Sequence, residues 1–163
     1  MFSNFRAACV AVVLVLASGA AAAAAPASAA PPRLVVKTLG GRTFDLASER
    51  GQWVIVNFWA TWCSPCIAEM PAISKYVTTH KDVTAIGLAW DQSPRGDIVK
   101  FAKEHPVDYP LAVLDPDHPP QGFPAPAALP TTYLIAPDGT VAKEFLGPIT
   151  VKSLDAAIAA KGS

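Results

Sequence analysis

The chain has 163 residues, 52% hydrophobic and 16% charged, with 13 basic against 13 acidic side chains. That length fits one domain and not two. A zero net charge argues against the clustered basic surface that nucleic acid or an anionic membrane face demands.

The mean hydropathy of +0.32 is high for a soluble domain, and the excess sits at the start of the chain. Residues 1–29 read as an export signal. Arg6 is the only charge, Ala7 to Leu16 forms an apolar core, and Ala27-Ser28-Ala29 fits the small-x-small pattern of a cleavage site. An uncleaved anchor is the alternative, because the uncharged run extends from Ala7 to Ala25, near the length of a spanning helix. Either way the folded part is exported, periplasmic or otherwise extracytoplasmic. Residues 30–33, with Pro31-Pro32, form a linker, and 34–163 make up the single domain.

In chain order, Leu34 to Leu39 and Arg42 to Leu46 are short strand-like runs around Gly40-Gly41, a dipeptide suited to a hairpin turn. Trp53 to Trp59 is almost wholly β-branched or aromatic and predicts a strand buried on both faces. Ser64 to Thr79 predicts a helix with Ile67, Met70, Ile73 and Val77 on one face and a kink at Pro71. A second buried strand follows at Val83 to Trp90, then a turn at Asp91 to Pro94, a helix at Asp97 to His105 and a short strand at Leu111 to Leu114. Five prolines between Asp115 and Leu129 exclude a helical period there and predict a loop. Thr131 to Ile135 and Thr140 to Leu146 read as strands joined by the Pro137-Asp138-Gly139 turn, and Val151 to Ala160 closes as an amphipathic helix. The pattern predicts an α/β fold, a mixed sheet with helices on both faces.

Of three cysteines, Cys9 lies in the signal, leaving Cys63 and Cys66. A loop this short restrains little chain entropy, so the pair is poorly explained as a structural disulfide. Nor can it close a zinc site alone, and His80, His105 and His118 show no paired spacing. Its position is chemical: the C-x-x-C falls where a buried strand becomes a helix. Cys63 at the helix N-terminus would have its thiolate stabilised by free backbone N–H groups and by the helix dipole. Cys66, one turn further in, is placed to resolve a mixed disulfide. Pro65 fits the first turn, where its missing N–H costs nothing.

Asn57-Phe58-Trp59-Ala60-Thr61-Trp62-Cys63-Ser64-Pro65-Cys66, continuing to Glu69-Met70-Pro71, resembles the active-site signature of the TlpA/ResA-like thioredoxin-fold proteins, extracytoplasmic thiol–disulfide reductases of bacteria. Leu129-Pro130-Thr131-Thr132-Tyr133-Leu134-Ile135 and the Pro137-Asp138-Gly139 turn resemble that family's cis-proline strand and its following turn. The resemblance covers residues 34 to 161. It implies a thioredoxin fold with an N-terminal β-hairpin, and disulfide exchange at Cys63 and Cys66 without a cofactor or metal. It further implies a cis bond at Pro130 and substrate binding by Trp62, Pro65, Leu129 and Pro130, with the proline loop able to pair with a peptide as an added strand. The partners it implies are apocytochrome c or copper-site proteins, with a membrane thiol relay as reductant and the protein itself a monomer.

Glu69 falls three residues after Cys66, and the resemblance places a functional glutamate there. A solvated helix glutamate is the plainer alternative. Beside the dithiol, its charge would raise the thiol pKa and its carboxylate could exchange a proton. Asn57 stands where many thioredoxins have aspartate, which leaves Glu69 as the candidate buried carboxylate. Trp59 reads as core and Trp62 as rim.

The sequence departs from the family at Gln52, at Ala136 and in the proline-rich stretch 116–126, which replaces a short helix beside the active site. Two other function classes stand against the reductase. A peroxidase would need a proline ahead of its reactive cysteine, and residues 56–62 lack it. A copper-delivery module would need a third ligand, for which His118 is the candidate.

Overall fold

A computed structural model of the protein describes residues 30–161. The predicted signal, residues 1–29, lies outside the described residues. The N-terminal hairpin pairs β1 (Val35–Lys37) with β2 (Thr43–Asp45) antiparallel across a turn in which Gly41 takes a φ of 81°. That left-handed conformation is what the glycine supplies. A 3-10 turn follows at Leu46–Glu49, capped by the Asp45 side chain.

The remaining elements are β3 (Trp53–Trp59), α1 (Ser64–Thr79), β4 (Val83–Ala89), α2 (Arg95–Glu104), β5 (Leu111–Val113), β6 (Thr131–Ile135), β7 (Val141–Leu146) and α3 (Val151–Lys161). Five strands form one sheet in the order β5-β4-β3-β6-β7. β3 pairs in parallel with β4 and β4 with β5, whereas the pairs β3–β6 and β6–β7 are antiparallel. The hairpin joins its edge through the Thr38–Ala112 bridge and the bond from Leu39 N–H to Leu111 O, 2.7 Å. This is the thioredoxin-like fold expected, with its mixed sheet and hairpin. No helix among the described residues is long and apolar enough to cross a membrane.

β3 is central and wholly buried, and its alternating side chains define two cores. Trp53, Ile55 and Trp59 face the core completed by Met70, Ile73 and Tyr76 of α1, Ile98 of α2 and Leu154 of α3. Val54, Val56 and Phe58 face the other, completed by Leu34, Phe44, Leu46, Leu114 and Phe123. All three α-helices therefore contribute to one face. The two parallel crossovers step the same way across the sheet, and right-handed connections put their helices on the same side. Of helical structure among the described residues, the opposite face carries only the 3-10 turn. The helical cover on both faces that the element pattern predicts is thus reduced there, because the proline-rich stretch cannot donate a helical hydrogen-bond ladder. The hairpin and that loop fill the space instead, with Phe123 packed on Phe58 and Tyr133 at ring-centroid distances of 6.1 and 5.2 Å.

α1 runs through Pro71 without ending. α2 begins two residues before the predicted Asp97, which lies in its first turn, where an acid opposes the positive end of the helix dipole. The chain enters the domain beside the proline-rich loop. Arg33 N–H donates to Gln121 O at 2.9 Å, and Gly122 lies directly against Pro32.

Candidate active site

β3 and β4 run in parallel, with Trp59 opposite Ala89, so the segments leaving both strands lie side by side. Asp91, just past β4, uses this proximity. One of its carboxylate oxygens accepts from Thr61 N–H at 2.8 Å and from Thr61 Oγ1 at 2.6 Å; the other accepts from Ser93 N–H at 2.8 Å. Burial alone would push this carboxyl up, but those bonds hold it below the usual carboxylate range. Asp91 thereby fixes the segment leading to the cysteines. Sequence reasoning assigned it only to a turn; the signal that could have found it is its matching position after the neighbouring parallel strand.

Cys63 is the N-cap of α1, and its Sγ accepts from Cys66 N–H at 3.3 Å. Pro65 sits exposed in the first turn. The two cysteines form a disulfide with their Cα atoms 5.3 Å apart. Cys66 is fully buried, and Trp62 beside the pair is 67% exposed. Once reduced, a Cys63 thiolate at this position would meet unpaired N–H groups of the first helical turn.

Glu69 is a core residue, 4% exposed. Its Oε1 accepts from Asn57 Nδ2 at 2.8 Å and its Oε2 from Ile149 N–H at 2.7 Å. Burial pushes its pKa above the ordinary carboxylate value, and the Ile149 and Asn57 bonds offset that only in part. Asn57 Nδ2 also donates to Thr132 Oγ1 at 2.8 Å. Asn57, which takes the aspartate position, thus serves as the donor that holds the carboxylate. Ile149 and Thr132 were not legible as partners, since neither is near Glu69 in sequence.

The Leu129–Pro130 bond is cis, Pro130 is buried, and its carbonyl accepts from Gly147 N–H at 2.9 Å. Leu129 and Trp62 line one surface groove of about 340 Å³, whose other wall includes Trp90, Pro116 and Pro126. The structure therefore brings Trp62, Leu129 and the proline-rich loop together. His118 points elsewhere: it is exposed and its Nδ1 bonds Asp115 Oδ2 at 2.7 Å. Among the described residues no three His, Cys, Asp or Glu side chains are grouped to hold a metal.

The AhpC/TSA family profile matches residues 24–144. The chain belongs to the AhpC/TSA family. A thiol-disulfide oxidoreductase ResA from Bacillus cereus is 33% identical over 125 residues, spanning 76% of this chain and 72% of the relative. The thioredoxin-like protein YneN of Bacillus subtilis is 28% identical over 131 residues, 76% of this chain and 74% of its own. Among solved structures, a thiol:disulfide interchange protein of the thioredoxin family from Chlorobium tepidum TLS superposes with a TM-score of 0.67 at 25% identity, covering 80% of this chain and 93% of that one. Within the AhpC/TSA family the protein is thus a ResA-like thiol–disulfide oxidoreductase whose cysteine pair is Cys63–Cys66.

Proposed function

We propose that the protein is exported through residues 1–29 as its signal, cleaved or kept as an anchor, and reduces disulfides in partner proteins of the same compartment. The reading rests on one arrangement: a helix-capping Cys63, a buried Cys66 and, one turn deeper, the buried Glu69. The Cys63 thiolate attacks one sulfur of the partner's disulfide, and the other sulfur leaves as a thiolate. Glu69 takes the Cys66 thiol proton, and Cys66 then attacks Cys63 Sγ. The partner's second thiolate is released, the Cys63–Cys66 disulfide forms, and two electrons have passed to the partner. A membrane thiol relay would restore the dithiol.

Trp62, Pro65, Leu129 and Pro130 would hold the partner's chain over the sulfurs. The substrates this reading favours are the haem-binding cysteines of apocytochrome c or the copper-site cysteines of an oxidase. A copper-delivery module would use His118 as its third ligand, and the Nδ1 of that side chain is instead bonded to Asp115 Oδ2.

The test is trapping. Cys66→Ser expressed with its leader should accumulate mixed disulfides on Cys63, and mass spectrometry identifies the partners. Captured cytochrome or copper-site proteins support the assignment; a protein that forms no adduct would remove it. Intact mass separates a product beginning at Ala30 from one retaining residues 1–29.

A further inference from the structure

Sheet topology gathers one end of four strands around the disulfide. β3, β4 and β5 are parallel and β6 runs the other way, so the segments leaving the first three and the segment entering β6 share that end. Each supplies a wall of the groove beside the cysteines: Trp62 after β3, Trp90 and Gln92 after β4, Pro116 after β5, and Pro126 and Leu129 before β6. From β3 to the β5 side the groove covers two strand spacings, about 10 Å, or about three residues of extended chain. Trp62 directly precedes Cys63, and Leu129 directly precedes the cis-Pro130. A chain that brings a sulfur to Cys63 therefore has this groove immediately to one side.

The lining carries no charge. Asp91 lies between the lining residues Trp90 and Gln92, but it is 4% exposed and its carboxylate is spent inward on Thr61 and Ser93. The acids nearest the lining in sequence, Asp115 and Asp117, are exposed on either side of Pro116, and Asp115 is taken by His118. A charged side chain seated in the groove would lose hydration and find no opposite charge in the walls.

Most of the wall is set before any partner arrives. Trp90 N–H donates to Trp59 O at 2.8 Å, and the Trp90 ring meets Phe58 edge-on at a centroid distance of 6.1 Å. Leu129 packs against both cores. The rings of Pro116 and Pro126 fix their own φ. Trp62 alone of the tryptophans is left largely in solvent, 67% exposed. Walls already ordered in this way lose little freedom when a side chain enters, so the apolar area covered is kept as affinity.

We propose that this groove selects partners by the residue beside the reacting cysteine: it takes an extended segment carrying a large apolar side chain within about three residues of that cysteine, gripped between Trp62 and Trp90. The substrate class is an extended chain with an apolar residue flanking its disulfide, in preference to a charged segment. This names the substrate of the disulfide-reducing activity and rests on that reading; the binding preference of the groove does not.

The test uses short alanine–serine peptides with serine in place of a central cysteine and a single guest, Phe, Leu, Ser, Lys or Asp, at each flanking position. They are titrated into the oxidised protein while the indole N–H signals of Trp62 and Trp90, assigned with Trp62→Phe and Trp90→Phe, are followed by NMR. Phe and Leu guests should bind about tenfold more tightly than Ser at one or more positions. Lys and Asp should bind more weakly than Ser, and added salt should leave the order unchanged. Gln92→Glu, which puts a charge into the lining at an exposed position, should raise Lys above Phe. Equal binding of all guests overturns the proposal, as does a Lys preference that fades with salt, which would assign recognition to Asp115 and Asp117. The same peptides with the cysteine restored, as mixed disulfides with glutathione, should be reduced with kcat/KM in the order of binding; rates independent of the guest overturn the role in substrate choice. If the binding order holds while no peptide is reduced, the groove stands and the reductase reading falls.

Discussion

Asn57 on β3 and Glu69 on α1 meet through a 2.8 Å hydrogen bond in the core, and the amide donates while the carboxylate accepts. Both carboxylate oxygens of Glu69 are engaged as acceptors. A glutamine there presents one acceptor and one donor, and it fits if it keeps its oxygen on Ile149 N–H and Asn57 turns its free oxygen to the new NH2. Glu69→Gln should therefore fold normally while removing the negative charge one turn from Cys66. In the reduced protein, the pKa of at least one thiol should fall by about one unit. The two thiols titrate as a pair. Thiolate absorbance against pH in wild type and variant checks this, and identical curves would place Glu69 out of reach of the sulfurs.

Two buried carboxylates shape acid and neutral stability in opposite ways. Glu69 has a folded pKa raised above its ordinary 4.5, so its contribution is fully present below that value and is lost as pH rises through the raised one. Asp91 has a folded pKa lowered from 3.8, so its contribution is present above 3.8 and is lost as pH falls through the depressed value. Urea midpoints measured across pH should lose their decline above 4.5 in Glu69→Gln. In Asp91→Asn the acid-side loss should shrink, and stability at neutral pH should drop by about 2 kcal/mol, the usual scale for hydrogen bonds to a charged group.

Trp62 is exposed beside the cysteine pair and shares a groove with Leu129. If that groove seats a partner chain, Trp62→Ala should raise KM for a protein disulfide about tenfold, near 1.4 kcal/mol and in the range of a buried aromatic contact. It should leave the reduction of a small aromatic disulfide unchanged. Stopped-flow kinetics with both substrates checks this; equal losses on both would assign the tryptophan to the chemistry and not to docking.

Phe123 is the proline-rich loop's contribution to the second core, 1% exposed against Phe58 and Tyr133. Phe123→Ala should cost about 3 kcal/mol in urea unfolding, the scale of a buried aromatic truncation. A near-zero loss would show that this face closes without the loop.

The boundaries of β3, α1 and β6 were legible because each is a long run of one periodicity or one buried composition ended by a clear punctuator. The C-x-x-C at the β3–α1 junction was legible for the same reason, since strand end and helix start are local signals. Glu69 could be read as the candidate buried carboxylate from its spacing and from Asn57 at the aspartate position, but the bond from Ile149 N–H could not, because that segment reaches it only after α3 has packed around α1. The sparse helical cover on the second face was hidden too. Whether a loop rich in proline fills a core depends on one aromatic, Phe123, finding Phe58 and Tyr133 across the sheet. Asp91 carried no motif at all; its role comes from its place just past β4, beside the segment that leaves the parallel β3.

The contact between Arg33 and Gln121, with Pro32 laid against Gly122, has a mechanical consequence. The same proline-rich segment carries Gln121 at its middle and walls the Trp62 groove with Pro116 and Pro126 on either side of it in sequence. Tension applied through residue 30 would load this loop before it reached the strand ladder, whose cooperative hydrogen bonds resist shear far better than a single main-chain bond. The point of attachment and the groove wall therefore act as one lever. The entry of the chain into the domain and one wall of the groove are thus tied by a main-chain bond that bypasses the five-stranded sheet.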